Sequence, residues 1–464
     1  MINFFSRNKY HLLTYFLFLI SSLSMAESDL TSVYKLAIQN DPNIRASKAN
    51  YLANIEVKKQ AKSYLLPNVQ ASASYSEVDQ ENDSRRYLST NLGALDSNFD
   101  LENEITFYNL TISQNLFNLQ AFFSYKQSIA LASQAELAYQ IDKQLLILNT
   151  AEAYFDVLRN QENLLSAQAE EEAIKKQFEQ TKQQYDNGLI SITGVHESRA
   201  AYDLVISNRL IDEINLEMAD ENLSILTGKK HKKLKFLSGS FNTIAPIPNS
   251  ISSWVDFSSE NNLEIKLAQK TFEASHQNAR GKKAAHAPTI LASVRYDDNS
   301  SSTVQTDLLT SSLLSDAYSD SVGATFEIKL NIPLWSGGRK SSERRQASYI
   351  ELRDQSKLLA TQQAVLKKTR SIFLITLSDI AKINALKNAK LSAHSALDST
   401  QTGYNLGTRN IVDLLNARRD LFQAERNLSS SRYDYIINSL RLKQVAGTLI
   451  PEDLHNLNQS LISR

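Results

Sequence analysis

The sequence predicts a mainly α-helical chain with some β-structure: two copies of a long coiled-coil hairpin, each joined to a pair of strands. Three observations predict this. Glycine and proline are scarce, 12 and 7 in 464 residues, and the stretches 94–187 and 339–402 contain neither, so helices there meet no breaker. Four segments alternate apolar and polar residues with period two, as strands with two different faces do. The pattern also occurs twice: Tyr185, Gly188, Ile192, Arg199, Asn208, Leu223 and Gly228 answer Tyr404, Gly407, Ile411, Arg418, Asn427, Leu442 and Gly447 at a constant spacing of 219 residues.

In chain order, Arg7 and Lys9 precede an apolar stretch at 12–20, and small Ser24 and Ala26 follow. That is the pattern of a cleaved secretory signal peptide, residues 1–26; its apolar core is too short to span a bilayer. The first repeat is 27–228: a helix, a strand pair within 64–117, a long helix, a tip turn at 186–192 and a returning helix. A connector with Pro246 and Pro248 occupies 229–250, and its basic run KKHKKLK (229–235) reads as a solvated segment. The second repeat is 251–448, with its strand pair within 288–335 and its tip turn at 405–411; a tail, 449–464, follows.

On the strands, Val69, Ala71, Ala73 and Tyr75 share one face, as do Tyr108, Leu110, Ile112 and Leu116. So do Ile290, Ala292, Val294 and Tyr296, and the alternate residues from Val322 to Leu334. Alternation alone also fits a soluble sheet with one wet face. Beyond the signal peptide there is no run of about 18 apolar residues, however, so membrane crossing would have to use strands. Tyr75, Phe117, Tyr296 and Trp335 stand at the ends of the alternating segments and suit a membrane interface. The polar stretches 77–100 and 297–320 are expected as exposed loops between paired strands.

A helix of about 65 residues would be near 100 Å long and is not stable alone. Leu414, Leu421, Leu428, Tyr435 and Leu442 recur every seventh residue, and Val195, Tyr202, Arg209, Leu216 and Leu223 hold the matching places, so coiled-coil packing is expected. Four strands cannot close a membrane barrel, and an open edge in lipid leaves backbone groups unpaired. Two or three chains would supply 8 or 12 strands; the width of a helical ring below the barrel favours three.

Several motifs together resemble the TolC-like outer-membrane efflux channels, over residues 27–455. They are the duplication, "LPNV" (66–69) and "APTI" (287–290) leading into strands, "NTAEAYFDVL" (149–158), "PLWSGG" (333–338) opening a long helix, and the tip "GYNLGTRNIVDLLNA" (403–417). The resemblance implies a homotrimer with a 12-stranded barrel in the outer membrane of a Gram-negative bacterium. A periplasmic α-helical barrel would continue it and dock onto a periplasmic adaptor protein and an inner-membrane pump or ABC transporter.

Residue by residue, the resemblance makes Asn187, Gly188, Leu189 and Leu406, Gly407, Thr408 the adaptor-docking tips. It makes Tyr404 and Arg409 ties between one helix pair and its neighbour, and Asp413 the carboxylate of the constriction, where three copies around one pore would repel one another and favour a cation. A plain solvated helix residue is the other reading of Asp413. Two positions depart from the family pattern. Asn416 stands where a second carboxylate is frequent, and Gly194 stands where an acidic lock partner is frequent, leaving Thr193 and Glu197 as substitutes.

Composition narrows the alternatives. Lys plus Arg and Asp plus Glu are both 50 and cysteine is absent, so there is no basic excess for nucleic acid and no thiolate site or disulfide. HExxH, GxSxG, a complete P-loop and GxGxxG are missing, and His196, His231, His276, His286, His394 and His455 show no metal-ligand spacing; neither enzyme chemistry nor a metal or cofactor is expected. The consecutive Glu170, Glu171 and Glu172 read as a solvated face. A periplasmic adaptor has one hairpin rather than two, and a trimeric coiled-coil surface protein without a pore would leave the duplicated strand pairs unexplained.

Overall fold

The computed structural model describes residues 27–89, 93–231, 233–239, 241–308 and 310–463; the expected signal peptide lies outside them. In chain order the elements are α1 (Leu30–Asn40), α2 (Pro42–Ser63), β1 (Asn68–Ser89), β2 (Gly93–Phe117), α3 (Leu119–Asp186), α4 (Ile192–Thr227), β3 (Phe236–Leu237), α5 (Ile251–Asn261), α6 (Leu263–Ala284), β4 (Thr289–Asp307), β5 (Leu313–Asn331), α7 (Arg339–Asn405), α8 (Ile411–Val445), α9 (Pro451–Asn458) and β6 (Leu461–Ile462). The breaker-free stretches become α3 and α7, of 68 and 67 residues, each about 100 Å long. No described helix is long and apolar enough to cross a membrane. The chain divides into two compact units, and the division falls within α2, α3, α6 and α7.

One unit, residues 51–135 and 268–358, contains an antiparallel sheet in the order β1-β2-β4-β5. Its register gathers the four apolar stripes onto one face. Val69, Ile112, Val294 and Phe326 form one cross-strand row, and Ala71, Leu110, Tyr296 and Ala324 the next. Between them runs a polar row of Gln70, Thr111, Arg295 and Thr325, whose side chains point to the other face. Val69, Ile112, Val294 and Phe326 are 61, 42, 45 and 68% exposed, so nothing among the described residues covers this face.

Most of the described residues in the stretches expected as loops are instead strand. Pairing continues from Glu77 opposite Glu104 to Ser89 opposite Gly93, and from Asp297 opposite Gly323 to Thr306 opposite Leu313. Alternation in sequence reports two unlike environments. Beyond the apolar rows the side chains are mostly polar on both faces, so the signal fades, while the ladder needs only backbone N–H and C=O groups. Tyr75 and Tyr296 are consequently interior to β1 and β4 rather than at strand ends. Trp335 lies past the end of β5, and Phe117 does close β2.

The other unit comprises the described residues from 27 to 50, with 136–267 and 359–463. Tyr154, Phe155 and Tyr433 are almost fully buried at its centre, with ring centroids 5.6 and 5.9 Å apart. Tyr154 Oη donates to the Lys235 carbonyl at 2.8 Å and Tyr433 Oη to Glu162 at 2.7 Å. Burial raises both phenol pKa values, with the Asp29 and Glu162 carboxylates adding to it, so both remain neutral donors.

Leu414, Leu421, Tyr435 and Leu442 form a buried line on α8, with Leu428 packed against the core. On α4 the buried line falls on Ser198, Val205 and Ala219 beside Leu223, rather than on Tyr202 and Arg209. Those two flank it: Tyr202 stacks on Phe178 at 6.1 Å, and Arg209 pairs with Glu171 at 2.7 Å. The three glutamates are not one solvated face. Glu170 is 4% exposed and bound to Arg426 at 2.9 Å, and Glu172 alone is exposed, beside Lys176. Residues 100° apart on a helix meet different surroundings.

The single helix expected before each strand pair is two, broken at Asp41 and at Asn262. Near each break an asparagine amide reaches the last turn of a hairpin helix: Asn40 Nδ2 donates to the Thr227 carbonyl at 2.7 Å, and Asn262 Nδ2 to that of Val445 at 2.8 Å. The connector and tail also join, β3 pairing with β6.

Candidate functional site

At the first tip, Gly188 N donates to the Tyr185 carbonyl at 2.8 Å and Leu189 N to that of Gln184 at 2.8 Å. At the second, Gly407 N donates to Tyr404 at 3.0 Å and Thr408 N to Gly403 at 2.9 Å. Each is a Schellman cap, which requires a left-handed residue; Gly188 and Gly407 supply it at φ 72° and 74°. With both helices stopped identically, Leu189 and Leu406 are left 73 and 74% exposed. Asn410 then caps α8, its Oδ1 accepting from Asp413 N at 2.8 Å. Asp413 is thereby held in the first turn, where the helix dipole favours a carboxylate.

A cavity of about 680 Å³ separates the tips. Thr193, Glu197, Tyr404 and Arg409 line it, together with Leu189 and Gly407, so the structure brings together four of the six residues expected at the gate. Tyr404 Oη crosses to Gln184 Oε1 at 2.9 Å, tying the end of α7 to the end of α3. Arg409, in the turn before α8, faces instead the first turn of that helix, 3.8 Å from Asp413 Oδ2, with both side chains substantially exposed. Asp413 and Asn416 do not line the cavity. Gly194 is buried, and a Cβ there would lie 3.6 Å from Ile190, 3.7 Å from Ile411 and 3.9 Å from Thr181, so it packs closely among these side chains.

Two contributors escaped the sequence. Gln184 carries no periodic signal within its polar run, and Arg418, legible only as the counterpart of Arg199, donates to Gln401 at 2.8 Å. Among the described residues no three His, Asp or Glu side chains come together to hold a metal.

Comparison with known proteins fits this geometry. The outer membrane efflux protein family model matches residues 33–229 and again 254–448. The chain is 33% identical to outer membrane protein TolC of Escherichia coli, covering 95% of this chain and 86% of the relative. It is 25% identical to the alkaline protease secretion protein AprF of Pseudomonas aeruginosa, covering 93 and 86%. The solved outer membrane protein VceC of Vibrio cholerae superposes with a TM-score of 0.72 at 18% identity, over 90 and 96% of the two chains. With both halves matched by that model, the chain belongs to the outer membrane efflux protein family.

Proposed function

We propose that this protein is an outer-membrane channel serving as the exit duct of an efflux pump or a type I secretion system. The observation that carries the reading is the sheet: four strands with one uncovered apolar face and two outer edges, β1 and β5. An apolar face is stable against hydrocarbon, whereas open edges in lipid cost several kcal/mol per unpaired group. Three chains would close 12 strands around a pore. From Thr106, opposite Tyr75, to Phe117 β2 runs 12 residues, enough for a tilted membrane-crossing strand, which needs about 9–11. Tyr75, Tyr296, Phe117 and Trp335 would then face lipid at or near its margins.

In this reading the tips form the inner mouth. Exposed Leu189 and Leu406, flanked by Asn187, Gly188, Gly407 and Thr408, offer a periplasmic adaptor paired apolar contacts, and an inner-membrane pump would stand beyond it. Tyr404 with Gln184 holds the mouth closed, and Asp413 draws cations to it, with Asn416 leaving the constriction less charged. Purified protein in a planar bilayer tests the channel directly. Discrete conductance steps, together with recovery in outer-membrane fractions, are expected; a monomer without conductance would overturn the reading.

A further inference from the structure

At the helical end of the sheet, α6 and α7 present four cations to one cavity of about 430 Å³: Arg280, Lys283, Arg344 and Arg345. All four are exposed. One carboxylate, Glu351, also lines the cavity, 2.7 Å from His276 Nδ1, while the neighbouring Glu343 is paired with Lys282 at 3.1 Å and Arg339 at 2.7 Å; four cations against one carboxylate leave the lining positive. Arg280 lies over the Phe123 ring at 4.5 Å, which fixes its guanidinium without neutralising it. Among the described residues Lys283, Arg344 and Arg345 have no ion-pair partner. The first repeat is cationic at corresponding places, Lys59, Lys62 and Lys126, but there Lys59 is paired with Glu56 and Lys126 sits over Phe122.

Location says what would fill the cavity. Lys283 is next to the last residue of α6, shortly before β4 begins at Thr289; Arg344 and Arg345 are in the second turn of α7, about 9 Å along its axis from Arg339. Between β5 and α7, Leu334 and Trp335 are 92 and 88% exposed, the apolar and interfacial side chains that mark a bilayer margin. Headgroups occupy roughly 5–8 Å on each side of the hydrocarbon; Arg344 and Arg345 are anchored just beyond that layer, and side chains on a helix lean toward its N-terminus, here toward the sheet. Paired guanidiniums suit a phosphate diester, to which they bind bidentately.

We propose that Arg280, Lys283, Arg344 and Arg345 form a binding site for the phosphate headgroup of an anionic phospholipid in the periplasmic leaflet. The proposal rests on the sheet lying in the bilayer, as argued above. The chain contains its own reporter, because it has two tryptophans and Trp254 is buried at 5% exposure, so quenching from lipid reports Trp335.

Protein in phosphatidylcholine nanodiscs is titrated with brominated phosphatidylglycerol or brominated phosphatidylcholine, with Trp335→Phe as the blank. Phosphatidylglycerol is expected to half-quench at a severalfold lower mole fraction. Arg344→Gln/Arg345→Gln removes two cations, each worth up to about fivefold, and should therefore abolish that preference, leaving quenching by phosphatidylcholine unchanged. Equal quenching by both lipids, or a preference that survives the double variant, overturns the site while leaving the sheet in the membrane. Absence of quenching by either lipid overturns both. Loss of the preference in millimolar inorganic phosphate, but not in chloride of equal ionic strength, would reassign the site to a soluble phosphate.

Discussion

Among the described residues the Tyr404 hydroxyl bonds to Gln184, and that contact joins the two hairpin ends. A net hydrogen bond is worth about 1 kcal/mol, so Tyr404→Phe should shift a closed-to-open equilibrium about fivefold; raised open probability in single-channel recordings is expected, and unchanged gating would place the lock elsewhere. Asp413→Asn removes a carboxylate without altering the Asn410 backbone cap, so block by multivalent cations should weaken while conductance steps persist. Away from the tips, His231 bridges Thr227 and Ser28 at 2.9 and 3.1 Å, and burial, helped by Lys229, pulls its pKa below 6.5. A depressed folded-state value means the unfolded chain binds more protons, so this contribution is present above pH 6.5 and is lost as pH falls through the folded value. His231→Gln should flatten the acid side of a thermal-stability profile, and an unaltered slope there would count against it.

Each helix reversal depends on a left-handed glycine, but the glycines are not equivalent. At Gly407 an added Cβ meets nothing within 4 Å, whereas at Gly447 it would lie 2.3 Å from the Asn261 carbonyl oxygen. Gly407→Ala should therefore cost only the left-handed strain of about 1 kcal/mol, and Gly447→Ala clearly more, because α8 must move away from the α5–α6 break. Comparing the two melting temperatures checks this, and equal losses would contradict the close approach. The reversals were legible because glycine chemistry is local. The strand lengths were not, since polar residues on both faces erase alternation while pairing continues from Glu77 to Ser89.

For the molecule as a whole, the apolar face from Val69 to Phe326 and the outer edges of β1 and β5 are left uncovered by the described residues, and in the proposed channel lipid and neighbouring chains cover them. In mild detergent the protein should run as a trimer by light scattering, and disulfides engineered between β1 and β5 of adjacent chains should form ladders ending at three. A monomer with no crosslinks would refute the shared barrel. The two-fold duplication doubles each device, strand pair, tip and asparagine tie, yet the copies diverge where Tyr404 bonds to Gln184 and where Gly194 answers Asp413 at the 219-residue spacing.

By itself the sequence determined the duplication, the two breaker-free helices, the heptads of α8 and the glycines at both tips, because each depends on spacing along one element. Only the tertiary structure decided that Glu170 is buried against Arg426 and that Tyr404 reaches Gln184 across 220 residues. Those pairings follow from which helices become neighbours and how they are rotated, and periodicity within a single helix carries no record of either.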